Sequence, residues 1–394
     1  MNILILNSGR KWIGEVAHTY QLARGLAQRG HRVIVGARTG TPLSVRLQEE
    51  TAGSADNCLQ SAEFNFTSSF RPLSEWADLG LLRRIITAEQ IELVQVNRGK
   101  EHWLAAMALR TMPQRMPLVR TRHVVIPARR HSFNRWLFNR ATAALIGVSN
   151  KALDSVRPVL RKESLRSKGG PQLVRRILSA VDIDNFSPAK RSSSWREQLG
   201  LGSKHLLIGL IGRFQGIKGQ EIFLTAAGRV AERYPEARFF LAGTGKPRRI
   251  EKYRRIAKEL GFADRLLIEG FIEELPQAVA SLDIGVIASR GSEGSSRVCL
   301  EYLASGLSVV ATRVGGIPEL LEGGEQRGLL VDPDAPEQLA EQVERLAEDA
   351  ELRQRLGQAG RRHVENHHRL ERWLGDFEAV YEELIAGGHE RKPS

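Results

Sequence analysis

Short apolar runs alternate with amphipathic segments along this chain, and they do so in two successive sets. In the first half NILIL (2–6), HRVIVGA (31–37), LVQVN (93–97), PLVRTRH (117–123) and AALIGVS (143–149) are largely continuous in apolar residues. A strand apolar on both sides must be covered on both sides, and helices placed between such strands make parallel βαβ units. AHTYQLARGLAQRG carries Leu22, Ala23 and Leu26 on one face and stops at Gly30, as a covering helix should. The second half repeats the plan with HLLIGLIGR (205–213), EIFLTAAGRVAERY, ARFFLAGTG, RIEKYRRIAKEL, RLLIEGF, LDIGVIAS, CLEYLASG and LSVVAT. The expected class is α/β, with two Rossmann-like, doubly wound parallel sheets.

A chain of 394 residues has room for two such cores. RPVLRKESLRSKGGPQLVRRILSAVDIDNFSP (157–188) holds Gly-Gly-Pro and a second proline, and reads as linker. The expected domains are 1–178 and 179–370, with an amphipathic helix over 371–394 crossing back to brace the first. MNILILNSG reads as a buried first strand and not as a signal peptide. No apolar run approaches the roughly 18 residues of a membrane span. Cys58 and Cys299 are the only cysteines, too few for a disulfide framework or a cysteine metal site, and a cytoplasmic setting is expected.

Charge is unevenly spread. Of a net +13, residues 1–180 hold 28 Lys/Arg against 12 Asp/Glu, whereas residues 181–394 hold 30 against 33. The excess suits either a plain solvated basic face or an anionic partner such as phospholipid headgroups, a phosphorylated glycan or nucleic acid.

Five loops could carry chemistry. LIGRFQGIKG (210–219) places Arg213 and Lys218 with Gly212, Gly216 and Gly219 before a helix, a phosphate cradle or an ordinary turn with two surface cations. It is not a Walker A loop. LAGTGKPRRI (241–250) repeats strand, Gly-x-Gly and helix with three cations, a weak signal that is most often turn geometry. SEGSSRVCLE (292–301) sets Glu293 ahead of a helix starting near Ser295–Ser296, with Glu301 two turns later. Glu293 alone reads as a capping acid, and Glu301 alone as a solvated position. RTRH (120–123) ends a strand in His123, where an imidazole can move a proton or sit idle. NSGRKWIGE (7–15) brackets a strand–helix loop with Gly9 and Gly14 but lacks the dinucleotide fingerprint.

Together, LIGRFQGIKG, ARFFLAGTG, RLLIEGF, DIGVIASRGSEGSSRVCLEYLASGLSVVATRVGGIPELL and GLLVDPDAPEQLA resemble, in order, the C-terminal domain of family-4 retaining glycosyltransferases of GT-B fold. IGVSN (146–150) and VDIDNFSP (181–188) look like further landmarks of that family in the first half. The resemblance implies two sheets facing each other across a cleft, and sugar transfer from a nucleotide diphosphate sugar to an acceptor hydroxyl with retention of configuration. It implies that Arg213 and Lys218 hold the pyrophosphate, Glu293 the donor-sugar hydroxyls and Glu301 the ribose, while His123 contacts the donor sugar. Gly14, Gly212, Gly294, Ser295, Ser296, Arg297, Gly245 and Phe271 would complete donor binding. Ser295, Ser296 and Arg297 stand where the family often has an aromatic and a small residue, so sugar choice is expected there; Asn97 ends a strand where the family often shows histidine.

No cofactor or metal is expected, because cations and helix ends can stabilise the departing diphosphate; the DID at 182–184 lies in the linker. The acceptor is expected on the basic first domain, where Arg120, Arg122, Arg129, Arg130, Arg135 and Trp136 suit a lipid-linked or phosphorylated glycan and an anionic membrane. Equally, the apolar residues of that segment suit a core. A hexosyl- or heptosyltransferase of lipopolysaccharide or cell-envelope synthesis, peripheral on the cytoplasmic membrane, is the resulting expectation. A transferase for a small soluble acceptor, a sugar-nucleotide epimerase and a nucleic-acid-binding protein are the alternatives. The last lacks any recognition motif.

Overall fold

The computed structural model describes residues 1–52, 58–114, 116–160, 173–291, 293–294 and 296–389. The chain divides into two compact units, Met1–Ser179 with Glu371–Ser394, and Ala180–Leu370.

The first unit is built on seven parallel strands: β1 (Asn2–Asn7), β2 (Arg32–Arg38), β3 (Leu59–Phe64), β4 (Leu93–Val96), β5 (Leu118–Arg122), β6 (Ala144–Gly147) and β7 (Leu173–Arg176). Their spatial order is β3-β2-β1-β4-β5-β6-β7. The second unit has six: β8 (Leu206–Ile211), β9 (Ala237–Ala242), β10 (Leu266–Glu269), β11 (Ile284–Ile287), β12 (Ser308–Thr312) and β13 (Leu329–Val331), ordered β10-β9-β8-β11-β12-β13. Every pairing in both sheets is parallel. Each order reverses once, between β1 and β4 and between β8 and β11. At such reversals the connecting chains part to opposite faces, and the carboxyl ends of the two strands are left open to a ligand.

The apolar runs are the central strands, and their residues are fully buried: Ile3, Leu4, Ile5 and Leu6 in β1, Leu207 and Ile208 in β8. The edge strands β3 and β7 gave no such run. An edge strand is half solvated and need not be apolar throughout; Leu59–Ala62 are only partly buried, and Arg175 and Arg176 are exposed. Residues 157–188 are therefore not simply linker, because β7 pairs with β6 in register Ala144↔Leu173 to Gly147↔Arg176.

The last helix, Leu370–His389, belongs to the first unit beyond its first residue. Gly25, on the Gly14–Gln28 helix, leaves room for Leu374, and Arg29 Nη1 bonds Glu378 Oε2 at 2.5 Å. Trp373, Phe377 and Tyr381 turn inward, the Tyr381 hydroxyl donating to buried Gln95 Oε1. Phe377 lies edge-on to Trp373, His18 and Tyr381. Truncating so enclosed a ring removes its burial and leaves a cavity. Phe377→Ala is expected to destabilise the first unit by about 3–5 kcal/mol, read as a lowered urea midpoint with unchanged slope.

Candidate active site

In the second unit the site is assembled by the loops after β8, β11 and β12. The chain leaves β8 at Gly212, runs through Arg213 and a single turn at Gly216–Lys218, and enters the Gln220–Arg233 helix. Gln220 Nε2 donates to Arg213 O at 2.9 Å, fixing the loop, and Arg290 N donates to Ile217 O at 2.8 Å, tying it to the β11 loop. Gly219 has φ +70°, and a β-carbon there would collide with Ala288 O. Only glycine lets these two loops approach so closely.

Glu293 is nearly out of water, which is costly for a carboxylate unless it is paired and hydrogen-bonded. Lys218 Nζ and Ser289 Oγ both bond its Oε1, the serine at 2.6 Å. Oε2 takes no hydrogen bond among the described residues. The backbone is held from β12: Gly316 N donates to Glu293 O at 2.8 Å, and Gly315, at φ +57°, packs where any side chain would strike that carbonyl. One carboxylate oxygen is thus committed to a cation and a hydroxyl while the other can accept from a ligand.

Glu301 lies within the helix Arg297–Ala304 and is buried, which pushes its carboxyl above the usual range against the pull of Arg297. Arg297 Nε bonds Glu301 Oε1 at 2.9 Å, one helical turn apart. The helix starts at Ser296, a non-glycine residue at φ +37°, and has no side-chain cap among the described residues, which leaves its first N–H groups as donors for a ligand. The Tyr302 hydroxyl, accepting from Ile211 N at 2.9 Å, fastens this helix to β8. Gly294 is buried beside Glu293, and Ser295 lies outside the described residues. Arg213 is partly exposed and has no carboxylate partner among the described residues. Gly243, after β9, packs against Gly212 O, and Phe214 N donates to Thr244 O at 2.9 Å, so Gly245 flanks the same loop. Phe271, after β10, is 79% exposed.

The first unit gathers charge at its own reversal point. Gly14 opens the Gly14–Gln28 helix, and Glu15 in its first turn is raised to about 6 by burial, opposed by Arg98. Arg98 Nε donates to Glu15 Oε2 at 3.1 Å. Glu101, on the Gly99–Arg110 helix, accepts from Ser8 Oγ at 2.6 Å and from Arg98 N at 2.7 Å. Arg120 points into this cluster and is 3% exposed, its Nε and Nη1 without hydrogen bonds. Burial lowers it to about 10, with Glu101 and Glu15 drawing it back up. Arg120 is therefore not a surface cation for docking. Arg122 is also committed, donating to Ser155 Oγ at 3.0 Å and Ile126 O at 2.5 Å.

His123 is held neutral. Burial pushes its pKa well below the usual 6.5, with His18, Arg120, Arg98 and Arg122 adding to the shift. Its Nε2 lies 3.1 Å from Asn97 Oδ1, and Asn97 Nδ2 donates to Leu6 O at 3.1 Å. The carbonyl of Leu6 fixes which end of the amide faces it, so the end facing His123 can only accept. His123 carries its proton on Nε2, and Nδ1 is left as an acceptor.

The segment 129–140 is not one continuous helix. Residues 124–131 are irregular, Ser132–Trp136 makes one short helix, and a wider turn, Leu137–Ala141, follows. Leu137 and Phe138 are core. Arg129, Arg130 and Arg135 are exposed, and Arg130, Arg135, Arg140 and half-buried Trp136 line a groove of about 1110 Å³. Sequence reasoning missed Ser289, Glu15, Glu101 and the orienting role of Asn97. Glu15 pairs with Arg98, far away in sequence, which leaves no local signal; Ser289 ends the run DIGVIAS only four residues before Glu293, but the two meet in an irregular loop where no fixed period announces the contact.

Two family models match: "Glycosyltransferase Family 4" over residues 14–166 and "Glycosyl transferases group 1" over 205–349. A D-inositol 3-phosphate glycosyltransferase of Corynebacterium jeikeium is 32% identical over 236 residues, covering 56% of this chain and 55% of that protein. The chain thus spans about half the length of the curated relatives it matches. Among solved structures, a glycosyltransferase of Rickettsia africae superimposes with TM-score 0.83 at 20% identity, each chain covered to 98%. HepE of Anabaena, solved with UDP and glucose, gives 0.79 at 22% identity, covering 98% of this chain and 100% of that one. Both sheets and their order are those of the GT-B class. The chain belongs to the group 1, family 4 glycosyltransferases.

The Asn97–His123 contact is testable without turnover. In the wild type, imidazole ¹⁵N spectra should show His123 as the neutral Nε2–H form across about pH 6 to 8. Asn97→Asp places an anion beside Nε2, raising the pKa so that His123 titrates within that window.

Proposed function

We propose that this protein is a retaining, metal-independent glycosyltransferase that takes its sugar from a nucleotide diphosphate donor and gives it to a lipid-linked or phosphorylated glycan. The observation that carries this reading is the Lys218–Glu293 pair, with Arg213 beside it and an uncapped helix start at Ser296. In the hard step the sugar gains positive character as negative charge builds on the diphosphate. Arg213, the two unused donors of Lys218 and the N–H groups following Ser296 supply fixed positive charge there, which needs no reorganisation during reaction. Oε2 of Glu293 accepts from a donor-sugar hydroxyl, and Glu301 from the ribose. Phe271 and Gly245 serve the nucleobase side. The UDP and glucose bound by HepE are the parts of the kind of donor this arrangement suits.

Glu293 orients; it is not a nucleophile. A carboxylate already shared by an ammonium and a hydroxyl is a weak attacking group, and the departing phosphate is better placed to take the acceptor proton. In the first unit, neutral His123 accepts a substrate hydroxyl at Nδ1. The acceptor's anionic part meets Arg129, Arg130 and Arg135. Lipopolysaccharide or other envelope glycan synthesis at the cytoplasmic membrane fits such an acceptor. A small soluble phosphorylated acceptor is the second reading, favoured by the relatives that are D-inositol 3-phosphate glycosyltransferases.

Thermal-shift screening with UDP-, GDP- and ADP-sugars tests the donor. At a hundredfold excess over Kd the correct one stabilises by about 2.7 kcal/mol, and no shift with any of them would refute donor binding. Lys218→Met and Arg213→Met are each expected to lower kcat by about 10²–10³, measured as release of nucleoside diphosphate with an acceptor glycan. Arg297→Met should raise donor KM more than it lowers kcat, because Glu301 then stays protonated to higher pH and loses an acceptor oxygen for the ribose.

A further inference from the structure

We propose that the start of the Pro72–Ala88 helix is a membrane-docking wedge that seats Phe70, Leu73 and Trp76 in a bilayer containing anionic phospholipid. These three side chains are 72%, 87% and 69% exposed, an unusual display for residues so apolar. Leu73 and Trp76 are one helical turn apart and share a face, and Phe70 precedes them by the same step. Pro72 and Ala77 beside them are exposed as well, so the helix start is apolar over about two turns.

The packing of this helix leaves that face uncovered by design of its other side. Leu82 and Ile86 enter the core, while Glu75 and Asp78 point inward. Asp78 accepts from Asn65 N and Phe66 N, each at 2.9 Å, and Glu75 pairs with Lys100. Both acids thus lie below the surface with their own partners, and the outward charge next to the wedge is cationic: Arg71 at its start and Arg84 two turns beyond Trp76. An apolar face with an indole, flanked by arginines and free of exposed carboxylate over its first two turns, complements the headgroup–acyl boundary of an anionic leaflet. The net +16 carried by residues 1–180 acts in the same direction at longer range.

The proposal rests on the reading of the acceptor as lipid-linked for its purpose, but its test needs no turnover. The full chain is incubated with vesicles of phosphatidylcholine containing about one-third phosphatidylglycerol, and with pure phosphatidylcholine, and binding is read by co-flotation. Binding to the anionic vesicles is expected, with weaker binding to the neutral ones. Leu73→Ser/Trp76→Ser should lower the partition by about tenfold or more, and Arg71→Glu by a smaller factor that vanishes at high salt. Tm of each variant, expected unchanged at such exposed positions, excludes misfolding. Undiminished binding by the double variant, or no binding by the wild type, overturns the wedge. A concentration-dependent dimer that the double variant loses, without vesicle binding, also overturns it and gives the face to a second copy. The donor thermal shift on the same samples separates the two readings: vesicle binding without any donor shift keeps the wedge and refutes the donor reading, whereas a donor shift without vesicle binding keeps the donor reading and overturns the wedge.

Discussion

Glu293 is a carboxylate held almost entirely out of water, and the second unit is arranged around the need to compensate it. Removing either partner of a buried pair leaves a lone charge, at a cost of about 3–5 kcal/mol. Lys218 arrives from the β8 loop, Ser289 from the end of β11, and the backbone clamp at Gly315–Gly316 from the β12 loop. Three strand ends must therefore be in register before the acid is satisfied, and parallel pairing is what puts them on one edge. The same acid keeps one oxygen for a ligand. Compensation for burial and readiness to bind come from one geometry.

The first unit solves a related problem differently. Arg120 is a cation with no ion pair among the described residues, balanced at longer range by Glu101 and Glu15, each fixed by its own hydrogen bonds. The field of Arg120, Arg98 and Arg122 falls on His123 and, with burial, keeps that ring uncharged. Asn97 then chooses the tautomer. A histidine in this state is an acceptor and a poor electrostatic ligand for phosphate.

Where the sequence reading strayed, the reason was contact between distant segments. In the arginine- and aromatic-rich stretch 129–140 Leu137 and Phe138 fill the core, the second of the two expectations for that stretch, while Arg120 is buried without a hydrogen bond at Nε or Nη1 among the described residues and Arg122 is bonded to Ser155 and Ile126. The most exposed cluster of large apolar side chains among the described residues of the first unit lies at Phe70, Leu73 and Trp76. Periodicity tells which residues share a face and is silent on whether that face is covered. The edge strands β3 and β7 escaped notice because an edge is half wet and carries no continuous apolar signal.

The sequence by itself determined the α/β class, the central strands, the helices between them and the order of loops bearing Arg213, Lys218, Glu293 and Glu301. Those features are local: a continuous apolar run, a helical period, a glycine ahead of a helix. Only the tertiary structure decided that Lys218 and Ser289 share one oxygen of Glu293, that Arg297 rather than solvent faces Glu301, and that Asn97 sets the proton on His123. Each joins side chains whose ionisation and orientation depend on burial, and burial is a property of the packed chain that no short stretch of it carries.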